Sequence, residues 1–138
     1  MKVSLTRKYM FSAAHRLDSP FLNEADNIEI YEKCNNINGH GHDYTLEVTI
    51  CGKPNNLTGM ILPLPEFDQN VKDVINKIEH KHINKEVEYF QNRISTAEYI
   101  IQYLWDELNK SLPENLLHHL KLWETNNNYF EFGKEKAS

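Results

Sequence analysis

Two histidines, His40 and His42, stand two residues apart, directly before a run of alternating apolar and polar residues. In an extended strand, side chains two residues apart point to the same face, and their Cα atoms lie roughly 7 Å apart. Two imidazoles in this arrangement can bind one metal ion. Gly39 and Gly41 leave that approach uncrowded, because a glycine has no side chain and lets the backbone bend.

A third histidine, His15, ends an earlier alternating stretch whose inward positions are mostly apolar. If residues 3–14 and 42–52 pair as an antiparallel hairpin, the end of the first strand meets the start of the second, where the other histidines lie. Three neutral imidazoles without a fourth protein ligand are typical of a catalytic zinc site, in which one position stays open for water or substrate. The alternative is that they are polar loop histidines or hydrogen-bonded core residues.

Cys34 lies six residues before His40. A nearby zinc ion would lower the pKa of this thiol and raise its thiolate fraction, so that Cys34 could act as a base or a nucleophile. The alternative is a packed, inert thiol, and the sequence alone favours neither. Cys51, at a predicted strand end, is interpreted as structural, and free thiols are expected because a reducing compartment is expected.

Three acidic residues and one more histidine are further candidates. His80 follows Glu79 at a predicted helix end, where it either forms a proton relay with that acid or stabilises the helix dipole. Glu124 shares a face with apolar strand residues, and carboxylates are rarely buried without a partner, so it either pairs with a cation or accepts hydrogen bonds from a ligand. Glu98 closes a capping box, Ser95-Thr96-Ala97-Glu98, which predicts a helix start.

The elements that must position these residues follow in the order strand, strand, helix, helix, strand, strand. Period-two alternation predicts the first two strands at 3–14 and 42–52, joined by a long loop, 18–39, with a short ordered piece near Ile28, Ile30 and Tyr31. A helical stripe begins at Glu66 and ends in the segment 79–84.

The second helix begins at the capping box and stops at Pro113. Alternation then returns at 120–124, and a last strand carries Phe130 and Phe132. The sequence therefore predicts a single α+β domain over residues 1–138, a four-stranded antiparallel sheet with two helices on one face. Its open edges must be protected or paired with neighbouring subunits, so we expect an oligomer.

Composition excludes some classes of function. The chain has 138 residues, with 40% hydrophobic and 25% charged residues, as in a soluble globular protein. A net charge of -5 without a basic stripe argues against nucleic-acid binding but allows an anionic small substrate. The sequence shows neither a signal peptide nor a membrane-spanning run, so we expect a cytoplasmic protein without a membrane partner.

Four motifs together resemble those of a known family. They are Phe11-Ser12-Ala13-Ala14-His15-Arg16-Leu17, Cys34-Asn35-Asn36 ahead of Asn38-Gly39-His40-Gly41-His42, Ser95-Thr96-Ala97-Glu98, and Glu124-Thr125-Asn126-Asn127. They are similar to those of the 6-pyruvoyl-tetrahydropterin synthase family, and the resemblance covers nearly the whole chain. It implies a T-fold subunit, homo-hexamers built from two trimers whose sheets join into barrels, and a pocket at a subunit interface.

The same resemblance implies a zinc-dependent lyase that converts 7,8-dihydroneopterin triphosphate to 6-pyruvoyl-tetrahydropterin in tetrahydrobiopterin biosynthesis. The implied roles are zinc ligands for His15, His40 and His42, catalysis for Cys34, His80 and Glu79, and substrate binding for Glu124, Thr96 and Glu98. The alternatives are a 6-carboxy-tetrahydropterin synthase of queuosine biosynthesis and a pterin- or zinc-binding protein with weak catalysis.

The chain departs from the family pattern in two places. The relay segment reads Ile78-Glu79-His80-Lys81-His82, where the family normally has Leu-Asp-His-Lys-Asn. Glutamate is one methylene longer than aspartate and must bend to orient the imidazole. Pro63 stands where the family usually has aspartate or asparagine, at the approach to the first predicted helix.

Overall fold

Four antiparallel strands form one sheet in chain order. The computed structural model describes residues 1–134. The strands are β1 (Val3–His15), β2 (His40–Gly52), β3 (Leu117–Thr125) and β4 (Asn128–Gly133). This is the predicted α+β arrangement, with β1 and β4 at the edges.

The inward face of β2 shows why these residues form a strand. Tyr44, Leu46, Val48 and Ile50 are fully buried, whereas the positions between them are partly exposed. This alternation matches the two-residue period of a strand that buries one face. His40 and His42 continue the buried side, as the sequence predicts.

Two long helices, α2 (Leu64–Ile75) and α4 (Ala97–Ser111), cover the apolar side of the sheet. The apolar side chains that recur at helical spacing are buried against the sheet; they are Phe67, Val71, Val74 and Ile75 of α2 and Ile100, Ile101, Leu104 and Leu108 of α4. The helix α2 ends earlier than predicted, at Ile75, and turns then lead to a short helix, α3 (Ile83–Glu86). Within residues 1–134, every helix is too short or too polar to cross a membrane.

The connection from β1 to β2 contains more structure than a loop. A helix, α1 (Glu24–Tyr31), is followed by a 3-10 turn over Glu32–Asn35. The side chain of Asn23 caps α1 by accepting a hydrogen bond from the backbone N–H of Asp26. The ordered piece predicted in this segment is therefore a capped helix.

The predicted capping box at the start of α4 is wrong. Thr96 is the N-cap residue and makes no side-chain cap hydrogen bond in the described chain. Ser95 is buried, and its hydroxyl lies 3.2 Å from the carbonyl oxygen of Arg16 and 3.1 Å from Oδ1 of Asn84. Because these tertiary contacts occupy Ser95, Glu98 stays exposed and is free of a capping role.

Candidate metal centre and pterin site

The register of the β1–β2 hairpin brings the three candidate ligands together. His15 lies opposite His40, and Ala13 lies opposite His42. One potential ligand atom from each histidine lies within 4.8 Å of the others. The hairpin therefore forms a cluster of three imidazoles that is compatible with a metal site.

A backbone carbonyl orients the buried ring of His15. Its Nδ1 lies 2.7 Å from the carbonyl oxygen of Ser95, so Nδ1–H donates and Nε2 carries the lone pair. Within residues 1–134, this Nε2 is buried and has no hydrogen-bond partner. Histidines that bind metals usually donate their other N–H to a backbone carbonyl or carboxylate. The orphaned nitrogen fits a metal ligand.

The charge state of the cluster also suits a cation. Burial lowers the pKa of His15 to about 4 and also lowers the pKa of His40, so both rings are neutral at neutral pH. The Nε2 atoms of His40 and His42 are 2.8 Å apart, with one ring donating its proton to the other. A cation shared by the two rings can replace that proton.

Glu124 lies beside this cluster. Its Oε2 is 4.0 Å from Nε2 of His15, and its side chain is 18% exposed. Burial raises its pKa, His42 opposes that shift, and the negative charge of Glu98 adds to it. The inward orientation predicted for Glu124 is present, and its carboxylate faces the space next to the imidazoles.

Cys34 and two of the histidines border one cavity of about 560 Å³. Burial raises the pKa of the Cys34 thiol, and the carboxylates of Glu124 and Glu32 raise it further. This shift is opposite to the lowering expected beside a zinc ion, and only the charge of a bound cation would reverse it. Both cysteines are free thiols, as expected.

Glu79 and His80 lie on the surface at a sharp turn. His80 has a left-handed φ of 60°, and its backbone N–H donates to the carbonyl oxygen of Ser12. This turn brings its Nε2 to 3.8 Å from Oε1 of Glu79, although neighbours in sequence rarely face each other. The ring is 78% exposed and borders a second cavity, which it shares with His42 but not with Cys34.

The two remaining candidates lie at the start of α4. Thr96 is half-buried at the N-cap position, and Glu98 is exposed. Burial raises the pKa of both Glu124 and Tyr31, and the negative charge of Glu98 raises each pKa further.

His82 is the residue beside the cluster that sequence reasoning missed. Within residues 1–134, both of its ring nitrogens are buried without a hydrogen-bond partner. A Cβ at Gly39, whose φ is +75°, would lie 2.8 Å from Nε2 of His82 and 3.0 Å from the carbonyl oxygen of His15. One sequence signal could have found it: this position, two residues after His80, is a histidine where the family pattern has asparagine.

Known proteins resemble this chain along nearly its whole length. The family model described as 6-pyruvoyl tetrahydropterin synthase matches residues 4–135. A 6-pyruvoyl tetrahydrobiopterin synthase of Drosophila melanogaster is 44% identical over 130 residues, which cover 93% of this chain and 77% of that protein. The solved structure of the Caenorhabditis elegans 6-pyruvoyl tetrahydropterin synthase has a TM-score of 0.93 and 33% identity, covering 98% of this chain and 97% of the other.

A relative from the second branch is more distant. The 6-carboxy-5,6,7,8-tetrahydropterin synthase of Rickettsia bellii is 29% identical over 150 residues, covering 94% of this chain and 99% of that protein. Relatives with pyruvoyl synthase names are therefore nearer to this sequence than this carboxy synthase is.

Proposed function

Because this chain belongs to the 6-pyruvoyl tetrahydropterin synthase family, we propose that it is a zinc-dependent lyase that converts 7,8-dihydroneopterin triphosphate to 6-pyruvoyl-tetrahydropterin with loss of triphosphate. The observation that carries this proposal is the convergence of His15, His40 and His42 within 4.8 Å. Three imidazoles leave a fourth position on zinc open to substrate. The reaction belongs to tetrahydrobiopterin biosynthesis, and we expect it in the cytoplasm.

The three histidines would hold the zinc ion. Zinc bound there supplies a Lewis acid that polarises hydroxyl groups on the substrate side chain. The carbonyl of Ser95 keeps the lone pair of His15 directed at the cluster. The buried environment holds His15 neutral and ready to bind without first losing a proton.

Proton transfer is assigned to Cys34 and to the pair Glu79 and His80. Cys34 borders the same cavity as His40 and His42, which places its thiol beside the ligands. Oε1 of Glu79 lies 3.8 Å from Nε2 of His80, beyond hydrogen-bond distance, so the acid places a negative charge beside the ring. Because the two groups border different cavities, we propose that one active site combines Cys34 of one subunit with His80 of another.

Pterin binding is assigned to the acid next to the imidazoles. Glu124 is mostly buried and has no lysine or arginine partner within residues 1–134, so it can accept hydrogen bonds from the pterin ring. Thr96 and Glu98, at the start of α4, would complete the pterin site. A homo-hexamer of two trimers is the proposed assembly, since β4 and the part of β1 before Ser12 are sheet edges that a neighbouring subunit could pair with.

Two other functions use the same pocket. A carboxy synthase would convert the same substrate and one water to 6-carboxy-tetrahydropterin, acetaldehyde and triphosphate. A binding protein with weak catalysis is favoured by one observation, the replacement of the family's relay aspartate by Glu79. It would bind zinc and pterin without turnover.

The deciding experiment is incubation of the zinc-loaded protein with 7,8-dihydroneopterin triphosphate, followed by mass spectrometry of the products. We expect 6-pyruvoyl-tetrahydropterin and inorganic triphosphate. Detection of 6-carboxy-tetrahydropterin and acetaldehyde would replace the proposal by the carboxy synthase. Stoichiometric zinc and pterin binding without either product would show a binding protein.

A further inference from the structure

A third cavity, lined by cationic side chains, lies next to the histidine cluster. It has a volume of about 330 Å³, and the polar side chains that matter here are those of Arg16, His82, Asn84, Lys85 and Arg93. Arg16 directly follows His15 in the chain, and His82 also borders the cavity that contains His42. The two regions are therefore adjacent.

The permanent charges of this cavity are mostly positive. Three cationic side chains face a single acidic one, Asp18, whose Oδ1 lies 3.6 Å from a guanidinium nitrogen of Arg16. Lys85 makes no ion pair within residues 1–134. Since the whole chain carries a net charge of -5, this positive charge is a local feature.

Arg93 is held in place by an aromatic ring. Its guanidinium lies 3.9 Å from the centre of the Tyr89 ring, and one NH1 hydrogen bond reaches the Tyr89 carbonyl oxygen at 3.2 Å. A guanidinium has five N–H donors, so most of them stay available. Planar guanidinium groups fixed in this way suit phosphate oxygens.

Two neutral side chains add hydrogen-bond donors. Oδ1 of Asn84 accepts from the backbone N–H of Arg16 at 2.7 Å and from the Ser95 hydroxyl, which leaves its NH₂ group to donate. The ring of His82 is confined against Gly39 and has two buried nitrogens without partners in residues 1–134. Because buried polar atoms usually have a hydrogen-bond partner, these two nitrogens are available to one.

We propose that this cavity binds an oligophosphate group and that His82 donates a hydrogen bond to it. A phosphate chain is anionic and accepts hydrogen bonds, which matches a wall of cations and N–H donors. Resting on the proposed function, the ligand is the triphosphate of dihydroneopterin triphosphate, which this site holds while the side-chain hydroxyls reach the imidazoles and the pterin ring reaches Glu124. His82 stands where the family pattern has asparagine, so its contribution is specific to this chain.

The test is titration calorimetry of the zinc-loaded protein with inorganic triphosphate. We expect Lys85→Ala, Arg93→Ala and His82→Asn each to weaken binding at least about fivefold, as for a charge-assisted or buried hydrogen bond. Lys53→Ala is the matched control, because it removes the same charge next to Gly52, at the opposite end of β2 from the histidines. It should bind as the wild type does.

Wild-type affinity in both Lys85→Ala and Arg93→Ala would overturn the proposal, and circular dichroism checks that the variants fold. If triphosphate removes zinc from the protein and binds these variants with wild-type affinity, it is bound to the metal and not to this cavity. That result also overturns the proposal. Equal binding of a nucleoside triphosphate shows that the phosphate chain alone is recognised and supports the site. If triphosphate binding depends on Lys85 but the protein does not turn over dihydroneopterin triphosphate, the proposed function is wrong and the phosphate site is still supported.

Discussion

The histidine cluster and the Glu79–His80 turn both lie next to β1, but they differ in how complete they are. The cluster is built by strand pairing, and the ring of His15 is 1% exposed and bonded to Ser95. At the turn, the ring of His80 is 78% exposed and contacts only its neighbour, Glu79, among the acids of residues 1–134. One chain therefore assembles the three candidate metal ligands by itself, and we infer that the proposed relay of Glu79 and His80 acts on a neighbouring subunit.

The largest expected effect is the loss of metal in His42→Ala. Two remaining imidazoles bind zinc too weakly to keep it, so content should fall from about one equivalent per chain to near zero. Elemental analysis of the purified protein measures this. His119→Ala is the control, because His119 pairs with Glu131 on the other face of the sheet and should leave zinc unchanged. A full equivalent of zinc in His42→Ala would remove the distinction between the two regions.

Next comes Cys34→Ala, which separates metal binding from proton transfer. Zinc should stay at about one equivalent, and turnover should fall by roughly 100-fold or more, the usual effect of losing a general acid or base. Product formation under saturating substrate gives the rate. Cys51→Ala removes the same thiol from the far end of β2 and should be nearly normal. Near-normal turnover in Cys34→Ala would make this cysteine a packing residue.

A smaller effect is expected for Glu124→Gln. The amide replaces one acceptor by a donor that faces the donors of the pterin ring, so pterin affinity should fall at least about tenfold, or about 1.4 kcal/mol. Titration calorimetry with a dihydropterin measures it, with zinc content and oligomer size unchanged. Glu131→Gln, on an exposed carboxylate, is the control. Unchanged affinity would show that Glu124 is a structural acid.

The smallest effect tests whether the relay acts between subunits. An equal mixture of Cys34→Ala and His80→Ala chains, unfolded and refolded together, should recover about a quarter of wild-type activity. If each site lies between two subunits, about a quarter of the sites receive an intact Cys34 from one chain and an intact His80 from the other. Each variant refolded alone serves as the control. If the mixture stays as inactive as its parents, Cys34 and His80 act within one chain.

The sequence predicts β1 and β2 well, because the burial of their side chains alternates with a period of two residues. The parity of His40 and His42 follows from the same pattern as that of Tyr44 and Leu46. The helix stripes of α2 and α4 are equally direct, since the buried side chains recur at helical spacing. These local periods account for most of the fold.

The errors fall where distant contacts override a local signal. Ser95 lies in a sequence typical of a capping box, but its hydroxyl contacts the carbonyl oxygen of Arg16 and Oδ1 of Asn84. Both are distant from the start of α4 in the chain. His82 was missed because its position depends on the left-handed turn at His80 and on the space left by Gly39. A capped α1 could have been found from Asn23 followed by Glu24 and Asp26, a common helix start.

The hydrogen bond between Nδ1 of His15 and the Ser95 carbonyl would also set the proton balance of metal binding at the proposed site. Metal uptake releases protons wherever a ligand is protonated beforehand. The Nε2 of His15 has no proton to release at neutral pH, because its tautomer is fixed and its pKa is about 4. Metal binding would therefore release no proton from His15 at neutral pH, and this ring would add no pH dependence to the affinity there.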